Sequence, residues 1–472
     1  MQILTPDLCV IGAGSGGLSL AAGAVQMGAP VVLVEGGEMG GDCLNTGCVP
    51  SKALLAAGKA AQAMRSGAAF GIAPVEPTID FAAVKDHVAG IIASIAPHDS
   101  QERFEGLGVT VLRDYARFTS PREVQAGQIL IRARRFVIAT GSHAAIPPIP
   151  GIEDLPYLTN ETIFALRDRP DHLLILGGGP IGMEMAQAHR RLGCRVTVIE
   201  AVRPLGRDDP ECAAVVLASL RAEGVEIIEA QAVVRLRRVA EGVEAVLADG
   251  LVLTGSHLLV AAGRKPAIER LNLEAGGIAH SRTGITVGAN LRSISNRRVY
   301  AMGDVAGGLQ FTHVAAAHAG VLIRQILLGL PAKAAPSAPW VTYTEPELAQ
   351  VGLTEAEARA AHGDRVTILR ADFGGNDRAI AERKGKGLVK VMVVKGRPVG
   401  ASIVGPQAGE LIGFWALAIA ARVKLGTLAG LVLPYPTLGE TAKRASGAYF
   451  SAKLFDNPAL KRVVRLVQRF VP

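Results

Sequence analysis

Short, unbroken apolar runs separated by glycine turns set the pattern of this chain. From Asp7 to Glu35 it reads DLCVIGAGSGGLSLAAGAVQMGAPVVLVE, an apolar run, a glycine turn, an alanine-rich helical stretch and a second apolar run. This predicts one βαβ unit. The pattern returns from Asp171 to Glu200 as DHLLILGGGPIGMEMAQAHRRLGCRVTVIE, so two nucleotide-binding units are expected. After Trp340 a third unit follows, with strands predicted around Leu388–Lys395 and Val399–Val404 and a helix from about Gly409. Proline-rich IPPIPG at 146–151 reads as a crossover between domains, and PAKAAPSAP at 331–339 as a linker. The apolar stretch Ile412–Ala421, closed by Arg422 and Lys424, is about half the ~20 residues of a spanning helix. No transmembrane helix is predicted, and Met1–Gly12 shows no signal-peptide pattern.

Length and composition narrow the class. At ~100–200 residues per domain, 472 residues suggest about three domains. Apolar residues make up 49% and charged residues 19%, as in a folded globular chain. The 55 glycines exceed the usual ~7% without any collagen-like period, so they mark tight turns and close backbone approaches. The net charge of +8 is spread along the chain and no nucleic-acid-binding spacing is present, which disfavours a nucleic-acid partner. Five cysteines, Cys9, Cys43, Cys48, Cys194 and Cys212, are too few for a secreted disulfide framework, and a cytoplasmic setting is expected.

The chemistry concentrates in three places. Gly12, Gly14 and Gly17 form G-x-G-x-x-G between a strand and a helix, where backbone N–H groups can face a pyrophosphate, and Glu35 ends the next strand, where a carboxylate can accept from ribose hydroxyls. Gly177, Gly179, Gly182 and Glu200 repeat the arrangement. A carboxylate there repels a 2′-phosphate, so NADH is expected over NADPH, with Arg203 and Arg207 nearby as the opposing feature. Between the two units lies GGDCLNTGCVPSK, Gly40 to Lys52. An ideal helix would separate Cys43 and Cys48 by about 7.5 Å along its axis, beyond disulfide range, so Asn45–Gly47 must distort if the two are to meet. Thiols near a helix N-terminus have the lowered pKa that thiol exchange needs. Two inert thiols or a metal pair are the alternatives, and Cys9, Cys194 and Cys212 read as core thiols.

With these motifs the chain resembles the class I pyridine nucleotide-disulfide oxidoreductases, a family that includes dihydrolipoamide dehydrogenase, glutathione reductase and mercuric reductase. Further shared segments are ATGS (139–142), AAGRKP (261–266), AMGD (301–304) and YTEPELAQVGLTEAEA (343–358). The resemblance implies an α/β fold of two Rossmann-like dinucleotide-binding domains, for FAD and NAD, plus a C-terminal α+β dimerisation domain. The expected divisions are 1–150 and 271–335 for the FAD domain, 151–270 for the NAD(P) domain and 336–472 for the interface domain of a homodimer. It places FAD on Gly12, Gly14, Gly17, Glu35, Lys52, Thr140, Gly141, Gly303 and Asp304, and NAD on Gly177, Gly179, Gly182, Glu200 and Gly263. It makes Cys43 the exchanging thiol and Cys48 the sulfur facing the flavin, with Glu184 paired to Lys52. Electrons would run from NADH through FAD to Cys43–Cys48 and on to a small or protein-bound disulfide, or another thiol-bound substrate.

The sequence departs from the family at several positions. Disulfide reductases of the family carry His before Pro-Thr near the C-terminus, paired with Glu; here Tyr435 fills that slot while Glu440 remains. A phenol of pKa ~10 is a poorer proton carrier near neutrality than an imidazole of ~6.5. Tyrosine in this slot is similar to mercuric reductase, which makes a metal-ion reductase the alternative. The cysteine pair and N-terminal metal-binding domain expected of that enzyme are not found, and a poorly active FAD-containing redox subunit is a further alternative. Pro180 stands where relatives place Tyr or Val over the nicotinamide pocket, and Ala267 where they commonly have Asn. At the tail, Leu460, Val463, Val464, Val467 and Val471 follow helical spacing among Lys461, Arg462, Arg465 and Arg469. This basic amphipathic helix is expected to pack on its own dimer, with contact to an anionic membrane surface the less favoured alternative.

Overall fold

The computed structural model describes residues 2–471, apart from the side chains at 452 and 453. The first βαβ unit consists of Leu8–Ile11 (β1), Ser15–Gln26 (α1) and Val31–Val34 (β2). Every residue of β1 and β2 is buried, because both faces of their sheet are covered. Leu8 and Val10 pack with Leu18 and Leu20 of α1, whereas Cys9 and Ile11 point the other way, toward Phe118 and Phe136. Next come Gly41–Asn45 (α2), Cys48–Arg65 (α3), Thr110–Leu112 (β3) and Arg135–Ile138 (β4).

The second unit is built from His172–Leu176 (β5), Pro180–Arg191 (α4), Arg195–Ile199 (β6), Glu226–Ile228 (β7) and His257–Val260 (β8), in a parallel sheet of order β7-β6-β5-β8. Cys194 lies one residue ahead of β6 and is fully buried, as are Cys9 and Cys212, in keeping with their reading as core thiols. Val299–Ala301 (β9) then returns to pair with β4, completing a parallel sheet of order β9-β4-β1-β2-β3, and Thr312–Ile326 (α5) packs on α1.

The third region is an antiparallel sheet of Trp340–Thr342 (β10), Glu347–Gly352 (β11), Val366–Asp372 (β12), Leu388–Val394 (β13) and Arg397–Gly405 (β14), in the order β10-β11-β14-β13-β12. Ala408–Ala420 (α6) covers it and buries Trp415 completely. Glu440–Phe455 (α7) and Pro458–Phe470 (α8) follow.

One continuous apolar cluster joins the regions: Ala53 and Leu54 of α3, Met185 and Ala188 of α4, Val198 of β6 and Leu348 of β11. Helix α3 lies close against α4, where a Cβ added to Gly58 would sit 3.4 Å from Ala188 Cα, and Arg65 donates to the Arg191 carbonyl at 2.8 Å. Charges also bridge the regions. Lys390 of β13, 4% exposed, meets Asp209 at 2.9 Å and Glu211 at 3.0 Å and also pairs with Glu355. Among the described residues no helix is long and apolar enough to cross a membrane.

Candidate active site

The glycines of the first loop act in two different ways. Gly12 has φ +107°, and a Cβ there would lie 2.4 Å from the Ala139 carbonyl; one at Gly17 would lie 1.9 Å from the Gly12 carbonyl. Gly17 thus closes the loop on its own backbone, and Gly12 seats it against the chain that follows β4. Gly14, the N-cap of α1, instead faces open space, with nothing within 4 Å of where a Cβ would stand, and the first turn of α1 carries no acidic residue. A diphosphate fits that position, at the positive end of the helix dipole. Glu35 holds the loop from the next strand by accepting from Ala13 N–H at 2.6 Å and Gly37 N–H at 2.7 Å.

The second loop repeats the arrangement. Gly177 and Gly182 are closed against backbone, Gly179 faces open space at the start of α4, and Glu200 accepts from Gly178 N–H at 2.7 Å and Val202 N–H at 2.9 Å. Each of the four carboxylate oxygens keeps a second lone pair for a ribose hydroxyl. Arg203 donates to the Gly206 carbonyl at 2.8 Å, which turns it to its own loop. Pro180 is the first residue of α4, a position where its missing N–H costs nothing, and Gly263, at φ +126°, again faces open space. The donors and spaces on both loops thus suit a dinucleotide.

Cys43 lies on α2 and Cys48 is the first residue of α3, with the helix broken at Thr46 and Gly47. The break brings the two thiols into hydrogen-bond contact. The Cys43 S–H donated to Cys48 is the main reason the Cys48 thiol falls to about 6; Thr312, 3.2 Å away, and Lys52 push the same way against desolvation. Cys43 moves up for the reciprocal reason, helped by desolvation. The contact thus drives the two thiol pKa values apart, Cys48 downward and Cys43 upward. Cys9, Cys194 and Cys212 are all driven upward by burial, as inert core thiols are.

One helical turn after Cys48, Lys52 Nζ pairs with Glu184 at 2.9 Å and lies 4.2 Å from the Tyr343 ring centroid. Glu184 is 5% exposed and also accepts from Tyr343 N–H at 2.9 Å, so it is fixed between three elements. On the other side, Asp304 accepts from Ser142 Oγ, and burial raises its pKa. Arg264 donates to Ser142 Oγ at 2.7 Å and to Asp42 at 3.0 Å, and Asn160 donates to Asp42 at 2.7 Å. Thr140 spends its hydroxyl on the Ala267 carbonyl at 2.7 Å, Gly141 faces open space, and Gly303 N–H donates to His318 Nδ1 at 3.2 Å.

Thr312, Asp42, Arg264, Tyr343 and His318 are not singled out by sequence reasoning. Asp42 had a signal, being inside the GGDCLNTGCVPSK segment, whereas Thr312 reaches Cys48 only because α5 packs on α1. Tyr435 and Glu440 are not brought to the dithiol within a protomer. The Tyr435 hydroxyl donates to Asp377 at 2.7 Å, which holds its pKa above the usual phenol value, and Glu440 accepts from Thr437 N–H at 3.4 Å.

Comparison with known proteins agrees with this geometry. Residues 6–319 match the pyridine nucleotide-disulphide oxidoreductase family and residues 338–446 the dimerisation domain of the same family. Mercuric reductase of Streptomyces lividans is 35% identical over 460 residues, covering 94% of this chain and 96% of that protein. Dihydrolipoyl dehydrogenase of Thermus scotoductus is also 35% identical over 460 residues, covering 94% and 97%. The HOCl-induced flavoprotein disulfide reductase RclA of Escherichia coli, solved as a Cu(II) complex, superposes with a TM-score of 0.84 at 27% identity, covering 93% of this chain and 98% of that one. With its two Rossmann-like units, its dithiol segment and its dimerisation domain, the chain belongs to the FAD-dependent, NAD(P)H-linked pyridine nucleotide-disulfide oxidoreductases.

Proposed function

We propose that this enzyme uses NADH to reduce a disulfide or another thiol-bound substrate through Cys43 and Cys48. The observation that carries the reading is the paired thiols with pKa values driven apart, set beside the Lys52–Glu184 ion pair. FAD, held on the Gly14 loop with Glu35 at its ribose and Asp304 and Lys52 toward its flavin end, would supply the relay of an electron pair from nicotinamide to the disulfide.

The residues then divide the work. Gly179 and Glu200 receive the nicotinamide nucleotide, and Glu200 together with the engaged Arg203 supports NADH. Cys43, once its proton is lost, bonds to one sulfur of a substrate disulfide while the other leaves as a thiol. Cys48 then attacks Cys43, re-forming the Cys43–Cys48 disulfide and releasing the second thiol; the dithiol has given up two electrons. Thr312 and Lys52 hold the Cys48 thiolate in the meantime. In the proposed homodimer Tyr435 and Glu440 face the partner's dithiol.

A second reading, reduction of a thiolate-bound soft metal ion, is favoured by Tyr435. Its proton is held by Asp377, so it is a weak base for Cys43 but a neutral oxygen donor toward a cation. The experiment is anaerobic titration of the holoenzyme with NADH, followed by lipoamide, glutathione disulfide or thiol-complexed Hg(II). The acceptor that restores the oxidised spectrum gives the substrate class. Cys43→Ser should retain FAD and lose that turnover; unchanged turnover would refute the proposal.

A further inference from the structure

We propose that α8 is a docking element for an anionic phospholipid surface. At 100° per residue, Leu460, Val463, Val464, Leu466, Val467, Phe470 and Val471 fall within an arc of about 160°, while Lys461, Arg462, Arg465 and Arg469 occupy the opposite arc. The helix is well formed. Pro458 is at its first position and Asn457 caps it by accepting from Ala459 N–H at 3.0 Å.

No residue of α8 is buried, although Val464 and Phe470 would each bury readily in an apolar setting. Residues 338–446 account for the dimerisation domain, so α8 lies outside the segment that the family match covers. Leu454 and Phe455, at the end of α7, extend the exposed apolar surface toward it.

Charge identifies the occupant. Residues 458–471 carry four basic side chains and no acidic one, on a chain of net charge +8. An apolar arc flanked by cations matches the acyl boundary and anionic headgroups of a bilayer, in which the helix would lie in the plane of the interface. Self-pairing of two α8 helices through the apolar arc would leave all eight cations on the outer faces, with no anion of either helix to meet them.

The test is co-sedimentation of the full-length holoenzyme with vesicles of phosphatidylcholine alone or of phosphatidylcholine mixed with phosphatidylglycerol. Binding is expected only to the anionic vesicles and should weaken with salt. At about fivefold per basic residue, R462Q/R465Q/R469Q should lower the partition coefficient about 100-fold. V463S/V467S/F470S should abolish binding, and neither variant should change NADH oxidation in solution. Loss of binding in the arginine variant alone would leave only an electrostatic contact and refute burial of the apolar face. Absence of binding to anionic vesicles would overturn the proposal. Dimer dissociation by V463S/V467S/F470S without any vesicle binding would do the same and assign the face to a second copy of the chain.

Discussion

The proton shared between Cys43 and Cys48 can be tested by comparing Cys43→Ser with Cys43→Ala. Either substitution leaves Cys48 without an intramolecular disulfide partner, so its thiol is free in the oxidised holoenzyme. Serine keeps a hydrogen-bond donor beside the Cys48 sulfur, whereas alanine removes the contact that contributes most to holding the thiol near 6. Thr312, 3.2 Å away, and Lys52 remain in both variants and cancel in the comparison. A hydrogen bond to a charged acceptor contributes about 1.5–3 kcal/mol. At 1.36 kcal/mol per pH unit, the midpoint for ionisation should be about 1–2 pH units higher in the alanine variant. The assay is the pH dependence of iodoacetamide alkylation, with the modified cysteine located by peptide mapping. Equal midpoints, or a lower one for alanine, would refute the idea that the Cys43 position tunes Cys48 by donating to it.

Three further outcomes are expected. Glu200→Ala should lower the preference for NADH over NADPH at least about fivefold in kcat/KM, because a carboxylate that opposes the 2′-phosphate is gone; an unchanged ratio would place the selectivity elsewhere. Asp377→Ala should lower the Tyr435 pKa, seen as the difference in tyrosinate absorbance between Asp377→Ala and Asp377→Ala/Tyr435→Phe, since the carboxylate that accepts its hydrogen bond is what raises it. Lys390→Met should destabilise the holoenzyme by about 3–5 kcal/mol in urea, because it leaves Asp209, 1% exposed, without its cation while Glu211 and Glu355 keep Arg370 and Arg359; a loss below about 1 kcal/mol would refute that role.

Local pattern made the two βαβ units and their glycine loops readable, because Gly17 and Gly182 are required by contacts with Gly12 and Gly177 of their own loops. Glu35 and Glu200 were equally plain at the ends of β2 and β6. Their bonds to Ala13 and Gly178 N–H were not, since a carboxylate at a strand end says nothing about which backbone donors the loop will present. The break between Cys43 and Cys48 followed from helix geometry, but the Thr312 hydroxyl that meets Cys48 comes from 264 residues later in the chain. Likewise, the tail's periodicity predicted α8 correctly. Periodicity specifies a face and not its neighbour, and within the protomer no residue of α8 is buried, so the expected packing on its own dimer is left to the vesicle and dimer measurements above.

Helix α3 begins with Cys48 and Lys52, rests Gly58 against Ala188 in its middle and bonds Arg65 to the Arg191 carbonyl near its end. It thus ties Cys48 to the helix that starts at the second glycine loop and, in the function proposed above, carries the redox sulfur. Because α3 runs unbroken from Cys48 to Arg65 and packs on α4, the gap between Cys48 and the Gly179 loop is set by helix packing. Turnover should consequently depend on thiol chemistry and substrate exchange more than on large-scale motion. A bulky side chain at residue 58 would lengthen that gap without touching a single redox atom.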